Sequence, residues 1–134
     1  MRRVRPPKRG SRYYLPPTEY KMVAAFCMNY GEFKRQLLDL DGKKAQIIDG
    51  MPHGTDTTDP TFSVAEKRVR LQEKINLIES TVRNVCPEIY EWVLLGITTT
   101  ASYDYLRTKL DIPCSHPYFI KRVRKVYYEI AQKL

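Results

Sequence analysis

The chain has 134 residues, of which 43% are hydrophobic and 28% charged; this fits one globular domain and argues against wholesale disorder. Its net charge of +8 points to polyanionic partners such as nucleic acid. No stretch approaches the ~18 apolar residues of a membrane span. Cys27, Cys86 and Cys114 are odd in number and lack a CxxC pair, which argues against a disulfide framework or a zinc knuckle; reduced thiols fit a cytoplasmic protein.

Charge is concentrated at the two ends. Arg2, Arg3, Arg5, Lys8, Arg9 and Arg12 place +6 in the first twelve residues, with no acid among them. Pro6, Pro7, Pro16 and Pro17 forbid a regular helix there. Residues 1–17 are therefore expected to form a disordered basic arm whose six cations contact phosphates. Two readings stay open for it: a nonspecific tail, and an arm that enters the minor groove.

A helical region is expected over 18–49. Thr18 is a fair N-cap after Pro17, and Asn29-Tyr30-Gly31 offers a break into two helices. Residues 50–60 read as a polar linker, because Asp49-Gly50, Pro52, Gly54 and Asp59-Pro60 are turn and breaker signals. A long helix begins at about residue 61. Val64, Leu71, Ile75, Ile78, Val82 and Val85 recur as a heptad seam, and Pro87 ends it. The seam suits either a core stripe within one subunit or a homodimer interface through 61–85. A short helix from Glu88 to Leu95 is expected to close at Gly96. Ile97-Thr98-Thr99-Thr100 reads as a loop. No segment alternates with period 2, so the chain is expected to be all-α.

The last 34 residues carry seven Lys/Arg and three Asp/Glu. Ser102 can cap a helix over 103–110, with Asp104 in its favourable first turn. Asp111-Ile112-Pro113-Cys114 breaks that helix, and Ser115 can cap a longer one from His116 to Gln132. A helix, a short turn and a longer basic helix form the order of a helix-turn-helix over 102–133, inside a domain spanning 61–134. Phe119, Val123, Val126, Tyr127 and Ile130 fall on one face and would pack inward. Tyr118, Lys121, Arg124, Lys125 and Tyr128 fall opposite, with Arg122 at the flank. Basic side chains facing outward are what a recognition helix in the major groove requires. The candidate DNA-binding set is thus Ser115, His116, Tyr118, Lys121, Arg122, Arg124 and Lys125.

The segment Asp49-Gly-Met-Pro-His-Gly-Thr-Asp-Thr-Thr-Asp-Pro-Thr61, the heptad helix after it, and the ending from Tyr118 to Leu134 resemble late-gene transcription regulators of the RinA/ArpU type. These are encoded by phages of Gram-positive hosts. Their C-terminal part is similar to the sigma-factor domain that reads the promoter −35 element. The resemblance covers residue 18 onward. It implies an all-helical regulator of phage late genes, an activator, with no enzyme activity and no cofactor. By position, Lys121, Arg122, Arg124 and Lys125 match the basic stretch of the sigma-like recognition helix.

Other chemistry finds little support. His53 and His116 are the only histidines, and Cys114-x-His116 offers too few ligands for a metal. No Ser/His/Asp order, HExxH or phosphate-cradling glycine loop is present. The expected function is sequence-specific binding of double-stranded DNA to regulate transcription, with RNA polymerase as a further partner and no membrane. Two alternatives stay open: a small terminase subunit for DNA packaging, and a protein-interaction module acting on host machinery.

Overall fold

A computed structural model describes residues 4–48 and 60–134. Its described residues form helices and no strand, in the order α1 (Pro17–Met28), α2 (Tyr30–Ile48), α3 (Pro60–Val85), a 3-10 turn (Pro87–Ile89), α4 (Tyr90–Thr98), α5 (Tyr103–Leu110) and α6 (His116–Lys133). The protein is all-α, as the absence of period-2 segments predicts. The expected linker lies outside the described residues, save for Pro60, which opens α3. His53 lies outside them as well.

Two compact units emerge. One comprises Met1–Asn29 with Leu77–Leu134, the other Tyr30–Asn76. These boundaries differ from a division at the linker. The reason lies in α1, which packs on α4 and α6. Its Val23 and Cys27 have no exposed surface, so it joins the C-terminal helices. Asn29 ends α1 by donating its backbone N–H to Ala25 O and Phe26 O, both at 3.2 Å, and α2 restarts at Tyr30.

In the first unit α4 is the hub, packing on α1, α5 and α6. Ile78, Val82, Val93, Ile97, Leu106 and Ile130 form its innermost layer. Trp92 ties α4 to the end of α5, its indole N–H donating to Leu110 O at 2.8 Å. In the second unit, Leu40, Leu71 and Ile75 are buried, and Arg68 pairs with Asp41 at 3.0 Å. The heptad seam from Leu71 to Val85 is therefore buried by the chain itself. Val64, at its start, is half-buried.

Two local expectations are corrected. Gly96 does not end a helix: α4 runs through it to Thr98, where Thr98 and Thr99 hydroxyls donate back to Leu94 O and Leu95 O at 2.6 Å. α1 begins at Pro17 with Pro16 at the cap, one residue ahead of Thr18, and no side chain caps it; proline suits this first turn because its missing N–H has no intrahelical partner.

The N-terminal segment also departs from the expectation. From Val4 onward the chain is irregular yet docked in the first unit. Pro7 is buried and Leu15 is only 2% exposed. The Tyr20 hydroxyl donates to Val4 O, and the Tyr13 ring meets Tyr128 of α6 edge-on, with centroids 5.6 Å apart. Apolar side chains set among the cations supply the burial that composition alone obscures. Arg2 and Arg3 lie outside the described residues.

Candidate nucleic-acid interface

Local sequence fixes the frame of α5 and α6. Ser102 caps α5 by accepting from Tyr105 N–H at 3.3 Å, and Ser115 caps α6 by accepting from Tyr118 N–H at 3.4 Å. Between them Asp111 takes a left-handed conformation (φ 51°). Asp111 N–H and Ile112 N–H both reach back to Leu106 O, the latter at 3.1 Å, which closes the end of α5 around the left-handed residue. Ile112 buries its side chain behind this turn.

On α6 the inward residues are those the helical wheel assigns: Phe119, Val123, Val126, Tyr127 and Ile130 are buried. The outward residues divide into three stripes. Lys121 is exposed and Lys125 half-buried; four residues apart, they share one ridge. Among the described residues neither carries an ion pair. At the N-terminal turn of α6, Ser115 and His116 are exposed.

One flank belongs to the N-terminal segment. Arg124 Nε–H donates to Arg5 O at 3.1 Å, so the basic arm meets the basic helix at Arg5. Lys8 and Arg9 are exposed at a turn that Ser11 N–H closes onto Lys8 O at 3.1 Å. Gly10 there has φ 85°, a conformation that favours glycine. The Arg12 guanidinium lies over the Tyr13 ring at 5.6 Å.

The other flank is less available than the wheel suggests. Tyr118 is half-buried and its hydroxyl donates to the Glu88 carboxylate. Arg122 sits over the Tyr118 ring at 4.8 Å. The hydrogen bond from Tyr118 holds the Glu88 carboxyl below its ordinary range, and the same bond raises the Tyr118 hydroxyl. Burial, reinforced by Glu88, raises the Cys86 thiol to about 12 and also raises the Cys114 thiol. Neither is an activated nucleophile. Among the described residues no group of three or more His, Cys, Asp or Glu could hold a metal.

The structure thus brings together Arg5, His116 and Arg124, with Lys121 and Lys125 on a separate stripe of α6. It sets Tyr118 against Glu88 and Arg122 over the Tyr118 ring. Sequence reasoning missed Tyr103, whose ring stacks on His116 at 4.8 Å between centroids and whose hydroxyl donates to Cys114 O at 2.6 Å. It also missed Glu88. For the docked N-terminal segment, the presence of Val4, Pro7, Tyr13 and Leu15 within the basic run was an available signal. Compared with protein-family models, curated proteins and solved structures, the chain gives no match.

Proposed function

We propose that this protein binds double-stranded DNA through α6 and the docked N-terminal segment, and that it regulates transcription in a sequence-specific way. The observation that carries this reading is the placement of charge. The unit of residues 1–29 and 77–134 holds fifteen of the 23 Lys/Arg and seven of the 15 Asp/Glu, hence the full +8. Residues 30–76 hold eight of each. Arg35, Arg68 and Arg70 of that second unit pair with its own carboxylates. Among the described residues Arg5, Lys8, Arg9, Arg12, Lys121, Arg124 and Lys125 carry no ion pair. Cations gathered on one unit and left uncompensated suit a phosphate backbone. Lys121 and Lys125 form the ridge that would face base edges, and Arg can read guanine with two hydrogen bonds.

The sequence resemblance extends this reading to activation of phage late genes, with a sigma-like α5–α6 pair at the promoter. The reading assigns no catalysis and no cofactor. Its test is binding to a fluorescent library of duplex fragments over a range of salt, with wild type beside the Lys121→Ala/Lys125→Ala variant. One sequence selected above bulk DNA, with the selection lost in the variant, is the expected result. Uniform binding that falls steeply with salt and ignores the variant would leave charge attraction alone and overturn the regulator reading.

A further inference from the structure

Arg5, His116 and Arg124 line one open pocket of about 290 Å³ together with Tyr103, Phe119 and Ile120. The Arg124 and His116 side chains and the backbone of Arg5 are held in place. Arg124 Nε–H donates to Arg5 O at 3.1 Å, and the preceding carbonyl, Val4 O, accepts from the Tyr20 hydroxyl. The His116 ring lies nearly parallel to that of Tyr103, at 24°, and Tyr103 is fixed through Cys114 O. No carboxylate lines the pocket. A concave site lined by two arginines and a histidine, with no acid among its lining residues, suits a tetrahedral oxyanion, and the planar donor fork of arginine matches phosphate oxygens.

We propose that this pocket is a phosphate clamp that grips one backbone phosphodiester of duplex DNA. Arg5 and Arg124 donate to the non-bridging oxygens, and His116 donates from the opposite wall. The proposal rests on the DNA-binding reading and changes the part played by the N-terminal segment. A diffuse tail would add affinity without register. A clamp built jointly by that segment and α6 fixes the register in which Lys121 and Lys125 meet the bases, because phosphate contacts position the reading helix. A backbone phosphate fits better than a small phosphorylated ligand, which would leave Lys121 and Lys125 uncompensated.

The test uses the full chain and duplexes in which one linkage at a time is an uncharged methylphosphonate. Wild type is compared with Arg5→Ala and His116→Ala, both at exposed positions, with far-UV circular dichroism confirming the fold. One linkage is expected to weaken wild type about tenfold, as loss of a charge-assisted hydrogen bond does. That linkage should weaken each variant by less than wild type, because one of the three donors that sense its charge is gone. Tyr20→Phe frees Val4 without altering pocket charge and should blunt the same linkage effect. Equal loss in wild type and variants, or no single sensitive linkage, overturns the clamp while duplex binding stands. Failure of wild type to bind any duplex overturns the DNA reading and the clamp together. Millimolar inorganic phosphate that shifts the His116 ring signals in NMR without weakening DNA binding would assign the pocket to a free phosphate and overturn the backbone assignment.

Discussion

Gly96 lies inside α4 where a Cβ would stand 3.0 Å from Phe119 Cζ and 3.5 Å from Leu106 Cδ1. Its role is to let α4 and α6 approach, since a helix interior would otherwise favour alanine by about 1 kcal/mol. The ring has little room to yield. Phe119 is 3% exposed, and Tyr103 leans against it with centroids 5.6 Å apart. Overpacking of this kind costs ~1–3 kcal/mol, so Gly96→Ala should lower stability by about 1 kcal/mol net of the propensity gain. Urea denaturation measures it. In a Phe119→Leu background the same substitution should become neutral or stabilising. An equal cost in both backgrounds would show that the contact with Phe119 is not what requires glycine.

The hydrogen bond from Tyr118 to Glu88 joins α6 to the turn between α3 and α4, and its pH behaviour follows from the two shifts. Glu88 is lowered from its ordinary 4.5, so the folded state binds that proton less readily than the unfolded chain. The stability it contributes is present above the ordinary value and is lost as pH falls through the folded one. Tyr118 is raised from 10.0; its contribution is present below that value and is lost as pH rises through the folded one. The tie is therefore whole across the neutral range. Tyr118→Phe should move the Glu88 titration up toward its ordinary position in an NMR pH series and reduce the loss of stability below pH 4.5. A Glu88 titration unmoved by the substitution would remove the bond from the account. The same pair shows what the sequence could and could not disclose. The bounds of α3, α5 and α6 were legible because Pro87, Ser102, Pro113 and Ser115 act locally. The Lys121–Lys125 ridge was legible from helical spacing. The glycine at 96 looked like a stop because Phe119, the residue it accommodates, lies far along the chain. The Tyr118–Glu88 and Arg124–Arg5 contacts span 30 and 119 residues, so no local pattern carries them. The docking of residues 4–15 was hidden in the same way, since Tyr20 and Tyr128 provide its seats.

Charge is partitioned between the two units, and this has a consequence that total charge alone would not produce. If net charge governed DNA affinity, any two neutralised cations would be equivalent, because long-range steering counts them equally. If affinity resides in uncompensated cations at a surface, only those cations release counterions on binding. Lys67 and Lys74 belong to the electrically balanced unit of residues 30–76. Arg9 and Lys125 belong to the unit that carries the excess. Lys67→Gln/Lys74→Gln and Arg9→Gln/Lys125→Gln remove the same charge. The first pair should leave the slope of log affinity against log salt unchanged, and the second should reduce it by about 1–2. Equal reductions in both would mean that the protein attracts DNA as a diffuse polycation. A change confined to the second pair would mean that the arm and α6 make the contacts, with residues 30–76 free for another task.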